Sequence, residues 1–213
     1  MSEHHHHDHE HDHDHEGHDH DHDHDHDHEH DEELSEADEE RQRERVRRHA
    51  LAQIRQYPDA ALRMKAKEVT EFDDFLMQLV ERMINLMVDA QGVGLAATQV
   101  GVLQRVFVFE LEGEGTKAVV NPRLSDASSE TETEEEGCLS LEGIRVPVER
   151  STKVVLEGVD PSGADVRFEL EGLGARVVQH ETDHLDGVLI IDRTDTEHRK
   201  EALGELRTQT VLR

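Results

Sequence analysis

The stretch VVQHETDHLDG, residues 177–187, carries two histidines four positions apart, His180 and His184, with Glu181 beside the first. On an α-helix, positions i and i+4 share one face one turn apart, so both imidazoles can bind a single metal ion. Glu181 lies roughly 100° round the helix, within reach of a water on that metal without binding the metal itself. Two ligands and a general base on one rigid element form the HExxH arrangement of metal-dependent hydrolysis. The flanking Val177, Val178, Leu185, Val188 and Leu189 argue for a buried helix, not a solvated one that happens to carry histidines.

Two ligands leave such a site short, because catalytic zinc sites keep three protein ligands and one open position. One large class supplies a third histidine six residues past the second, in HExxHxxGxxH. Gly187 fits that pattern, but Ile190 stands where the histidine is required, which excludes the class. A second class uses a glutamate from a following helix, for which Glu201 and Glu205 are available. The remaining candidate is Cys138, the one cysteine in the chain, whose thiolate is a strong ligand for zinc, iron or nickel.

Two further stretches bear on the chemistry. GVGLAATQVG, residues 92–101, is too rich in small residues to be ordinary loop, and Gly92, Gly94, Ala96 and Ala97 allow backbone to approach something closely. It lacks the lysine and spacing of a phosphate loop. Gln99 is polar in apolar company and needs a partner if buried, so the stretch reads as a substrate-binding edge with an amide donor, or else as a tight helix-to-strand turn. EGCLSLEG, residues 136–143, places Gly137 ahead of Cys138, giving the backbone freedom beside a candidate ligand.

These residues need elements to hold them. Phe72, Phe75, Leu76, Leu79, Val80, Met83, Ile84 and Met87 recur at helical spacing and predict a long helix over 70–91, with Thr70 and Asp73 as its N-terminal cap and Gly92 as its stop. Strands are expected at 105–111 and 118–121, paired across a turn at 112–116. Others are expected at 144–148, 153–159 and 166–170, the last two joined by the Asp160-Pro161-Ser162-Gly163 turn. Residues 125–136 read as a loop or edge strand, the HExxH helix begins near Leu173, and a final helix covers 194–208. The fold class is therefore α+β: small antiparallel sheets packed around a central HExxH helix, with a long helix in the N-terminal half and a C-terminal helix.

Composition bounds the rest. Residues 1–40 contribute −19 of the net −28 and have no Lys or Arg; fifteen of the nineteen histidines lie within the first thirty positions, mostly alternating with Asp. Such a segment has almost nothing apolar to bury and is expected to be disordered. Its dense imidazoles and carboxylates suit a metal buffer, although a merely solubilising extension would look the same. Residues 32–48 turn basic, with Arg41, Arg43, Arg45, Arg47 and Arg48; the pattern allows a helix, but with few apolar anchors the stretch reads as a charged linker. The expected division is thus 1–48 as tail and linker and 49–213 as one catalytic domain, large enough for a real core. A single cysteine excludes an internal disulfide and fits a reducing compartment. There is no apolar run of bilayer-spanning length and no targeting-type start, so a cytoplasmic protein is expected. The acidic balance disfavours binding to nucleic acid or anionic membrane.

GVGLAATQ, EGCLS and QHETDH, in that order, closely resemble peptide deformylase over roughly residues 54–207. The resemblance implies Cys138, His180 and His184 as metal ligands and Glu181 as the acid/base. It implies that Gln99 and the Leu139 backbone N–H hold the formyl oxygen, with Val93 and Gly94 lining the site and Gly94 pairing with the substrate backbone. Arg176, one turn before His180, falls near the methionine pocket; its stem is expected to wall the pocket while its guanidinium reaches water. The family often has Pro after EGCLS, where this chain has Glu142. The implied activity is removal of the N-formyl group from the methionine of nascent peptides, at the ribosome exit region, by a monomer holding one divalent metal ion: iron as Fe²⁺, with Zn²⁺ or Ni²⁺ as substitutes. An endopeptidase using Glu201 or Glu205, or a metal store with an inactive domain, are the competing readings.

Overall fold

A computed structural model describes residues 35–212; the His/Asp-rich stretch expected as a disordered tail, and its metal-buffer reading, lie outside the described residues up to Leu34. The elements run α1 (Glu36–Leu51), α2 (Asp74–Asp89), β1 (Gly94–Ala96), β2 (Val106–Leu111), β3 (Gly115–Ser125), β4 (Thr131–Cys138), β5 (Leu141–Ser151), β6 (Lys153–Val159), β7 (Asp165–Glu171), α3 (Gly172–Leu185), α4 (Ile190–Arg193) and α5 (Thr196–Leu212). The strands form a five-stranded antiparallel sheet in the order β1-β2-β3-β6-β7 and a separate β4-β5 ribbon. The expected mixture of helices with small antiparallel sheets is what the chain adopts.

β2 explains how the layers assemble. Successive side chains on a strand point to opposite faces. Val106 and Val108 join a buried cluster with Leu76, Leu79, Met83 and Met87 of α2, whereas Phe107 and Phe109 join one with Ala175, Val177, Val178 and Leu185 of α3. The sheet is therefore covered by α2 on one side and α3 on the other. A third cluster unites Ile144, Val146 and Val148 of β5 with Ile190 and Ile191 of α4 and with Ala202 and Leu206 of α5. The two α5 residues are four apart and so share one face.

Two expectations about helices are corrected. α2 begins at Asp74, not near Thr70: Asp73 alone caps it, its carboxylate accepting from the Leu76 N–H at 3.0 Å. The Phe72 and Phe75 rings that extended the apparent stripe are exposed. Of the helix and the charged linker that residues 32–48 allowed, the chain adopts the helix, α1. Ser35 caps α1 by accepting from the Asp38 N–H at 3.3 Å. Acidic Glu36, Asp38 and Glu39 fill its first turn and Arg48 and His49 its last, which complements the helix dipole. The apolar side chains it buries, Ala50 and Leu51, sit at its C-terminal end.

The turn after α3 fixes how that helix leaves the core. Gly187 has φ +74, and a Cβ there would lie 2.6 Å from the Arg63 carbonyl oxygen. Gly187→Ala combines left-handed strain with a backbone clash. We expect it to lower stability by at least about 2 kcal/mol, read as a lower midpoint in urea unfolding; an unchanged midpoint would show that the turn is not constrained.

Candidate metal centre and its cavity

α3 presents His180 and His184 one turn apart, their Nε2 atoms 3.2 Å from each other. Cys138, the last residue of β4, comes to meet them: its Sγ is 3.2 Å from His184 Nε2. The β4–β5 register shifts between Gly137 and Cys138, and irregularities of this kind re-aim a side chain out of the pleat. The three donor atoms all lie within 4.8 Å of one another. Among the described residues, the cysteine is the candidate third donor that meets the histidine pair; Glu201 and Glu205 are exposed on α5 and join no such group.

The donor set fits a divalent cation. His180 Nδ1 is 3.0 Å from Glu136 Oε2; with its proton on Nδ1 donated to the carboxylate, the Nε2 lone pair points into the cluster. Burial and the neighbouring His180 hold His184 well below the usual imidazole range, so it is neutral and can ligate. Burial also works to lower His180, but the Cys138 thiol and the Glu136 carboxylate outweigh it and raise the ring well above its ordinary value. The cluster draws positive charge, and a bound cation would take the place of the proton on His180 Nε2. A sulfur and two ring nitrogens suit zinc, iron or nickel rather than magnesium or calcium.

Glu136 is the residue that sequence reasoning missed as a participant. Buried at the end of β4, it accepts from Arg150 Nε at 2.9 Å and Nη2 at 3.0 Å, and from Arg176 Nη1 at 2.9 Å, besides its bond with His180. Burial alone would raise its pKa; the bonds from His180 and Arg150 reverse that and bring it to about 2. Arg150 also donates to Asp183 at 2.6 Å, and Asp183 pairs with Arg193. The motif EGCLS contained Glu136, but its partners lie 14 to 44 positions away, so no local signal announced them. Glu136→Gln keeps an acceptor for His180 but removes the charge. We expect it to weaken metal retention about 10- to 100-fold, measured by competition with a chelator; unchanged retention would reduce Glu136 to a structural role.

Arg176 corrects a third expectation. Its guanidinium is held by protein partners rather than turned out to water, the side chain being 9% exposed. Besides Glu136, it meets the Val148 carbonyl at 2.9 Å, the Glu132 carbonyl at 2.8 Å and the Glu134 carboxylate at 3.0 Å. A buried cation is stable only when paired and hydrogen-bonded, and β4 and β5 supply both. The residue still lines the cavity described below.

Gln99 is 2% exposed and hydrogen-bonded at both ends of its amide. Its Oε1 accepts from the Ala96 N–H at 2.8 Å, which orients the amide; its Nε2 donates to Ser140 Oγ at 3.0 Å and lies 3.8 Å from Cys138 Sγ. The partner that a buried Gln99 required is therefore present. Leu139 is held from behind, its carbonyl accepting from Gln56 Nε2 at 2.8 Å, and the Ser140 carbonyl accepts from the Tyr57 N–H at 2.9 Å.

Glu181, from the same helix as the histidines, is buried, and its Oε2 has no hydrogen-bond partner among the described residues. Burial is the main reason its pKa is pushed up to about 7, with nearby Glu136 adding and His180 opposing. A Cβ at Gly94 would overlap Glu181 Oε1, so a larger residue there would displace this carboxylate. A cavity of about 570 Å³ opens beside the cluster, lined by Gly94, Gln99, Cys138, Leu139, His180 and Glu181 at its inner end. Val93 and Leu173 also line it and are 48% and 64% exposed. The structure thus brings together all nine residues expected at the site. β1 is an edge strand, paired with β2 on one side only.

The profile of the family described as Polypeptide deformylase matches residues 51–200. Peptide deformylase of Thermotoga neapolitana is 52% identical over 141 residues, 66% of this chain and 85% of that one. The crystal structure of peptide deformylase from Thermotoga maritima aligns with TM-score 0.65 at 51% identity, covering 67% of this chain and 96% of that one. The structure of a peptide deformylase from Legionella pneumophila aligns with TM-score 0.70 at 37% identity, covering 75% and 95%. Identity near one half over almost the whole of a relative is far more than a shared architecture requires, and the matched span contains every residue of the cluster: the chain belongs to the polypeptide deformylase family.

Proposed function

We propose that Cys138, His180 and His184 hold one divalent cation, natively Fe²⁺ with Zn²⁺ or Ni²⁺ as substitutes, and that Glu181 is the acid/base of deformylation. Members of this family are metal-dependent hydrolases that remove the N-formyl group from nascent peptides, and this chain is one of them. The observation that carries the assignment of roles is the convergence of one sulfur and two imidazoles within 4.8 Å beside a buried carboxylate with an unpartnered oxygen.

The chain's own groups account for the chemistry. When bound, the metal supplies a water acidified towards neutral pH and positive charge for the formyl oxygen. The formylated peptide lies along the unpaired edge of β1 at Gly94 and Val93, adding a strand by backbone hydrogen bonds. The methionine side chain enters the cavity against Ile144 and Val177, with the Arg176 stem as wall. Glu181 takes the proton of the attacking water; the water oxygen joins the formyl carbon, the carbon–nitrogen bond breaks, and Glu181 returns the proton to the leaving amine. Its pKa of about 7 suits a group that must both accept and donate near neutrality. The Gln99 amide and the Leu139 N–H donate to the oxyanion, each such donor being worth on the order of 3 kcal/mol. Products are formate and a free α-amine.

We read residues 49–213 as the catalytic domain, built around α3 as its central HExxH helix, beginning in the last turn of α1 and preceded by the rest of that helix and the His/Asp tail. It acts as a cytoplasmic monomer near the ribosome exit. Among the described residues, no helix is long and apolar enough to cross a membrane. Formate release from a formyl-Met peptide tests the function: release dependent on bound metal is expected, and metal-loaded protein that releases none would overturn it.

A further inference from the structure

Helix α1 reaches the cavity through Arg47 and Leu51, and apart from Leu51 the whole helix precedes the span matched by the family. The wall that α1 forms with the end of α2 and with Val93 has Arg47 as its one charged liner among the described residues. The other wall carries a mixture: Arg145 with Glu135 and Glu142. Arg47 also differs from its neighbours on α1. Its side chain is 31% exposed, whereas those of Arg41, Arg43 and Arg48 are 69%, 65% and 77% exposed. The ion pair described for it, with Glu44, spans 3.7 Å, longer than a hydrogen bond. A guanidinium lying along a cavity wall without a tight partner is suited to receive a carboxylate through its planar fork. The exposed Val93 and Leu173 give a peptide apolar surface on its way out.

We infer that α1 is an added wall of the substrate groove and that Arg47 selects formylated peptides bearing an acidic side chain shortly after the first residue. The inference rests on the deformylase reading of the site. A peptide extending from the metal cluster to the mouth meets Arg47 as the cation on this wall, so an early Asp or Glu is favoured over Lys.

The test measures formate release by the full, metal-loaded chain from formyl-Met peptides with C-terminal amides, carrying Asp or Lys at the second, third or fourth position. The quantity read is the Asp-to-Lys ratio of kcat/KM at each position. At one of them the ratio should exceed one by about fivefold, the size of an exposed-to-half-buried ion pair, and the difference should lie in KM. Arg47→Lys should retain the preference, Arg47→Glu should reverse it, and salt should flatten it. Ratios that are equal in the parent chain and in Arg47→Glu at all three positions overturn the inference while leaving deformylation intact. No formate from any peptide would sink the functional reading as well.

Discussion

Glu181→Gln is expected to lower kcat for formate release by about 10²- to 10⁴-fold, the usual worth of a positioned acid/base, while leaving the metal bound. Glutamine has nearly the same shape as glutamate, so the fit against Gly94 is preserved. It cannot take a proton from water or return one to the leaving amine. Glu181 is also not one of the three clustered donors, so metal content measured on the purified variant should match the parent. The two readouts together separate chemistry from assembly. Full activity in Glu181→Gln would remove the proposed mechanism; lost metal would move Glu181 into the ligand set.

Cys138→Ala should have the opposite signature. It deletes the sulfur that lies 3.2 Å from His184 Nε2 and leaves two imidazoles, one ligand short of an ordinary catalytic site. Metal bound after dialysis should fall to a small fraction of the parent value, and formate release with it. The fold should persist, because Cys138 is only partly buried at the edge of its cluster and alanine fits where a thiol did. Unchanged metal content in a folded Cys138→Ala protein would revive the reading in which Glu201 or Glu205 is the third ligand.

How much of this could be read from the chain depends on the range of the interactions. The histidine pair and Glu181 were legible because a helix converts a spacing of four into shared position. β2 was legible because both its faces are covered, which leaves an uninterrupted apolar run. Cys138 emerged by elimination and resemblance, since its approach to α3 runs through a strand irregularity 46 residues away from His184. α1 was misread because its apolar burial is confined to its last residues, its cap and charge pattern standing in for a hydrophobic stripe. The start of α2 was misplaced because Phe72 continues the periodicity although it precedes the helix and is exposed. Arg176 was sent to solvent because nothing nearby in sequence reveals the Glu136 carboxylate that holds it.

X-ray absorption at the edge of the bound metal, recorded on anaerobically purified protein, tests the central claim most directly. One sulfur and two imidazole nitrogens among the nearest neighbours is the result predicted, with the sulfur lost in Cys138→Ala. A metal surrounded by nitrogen and oxygen alone would contradict the account.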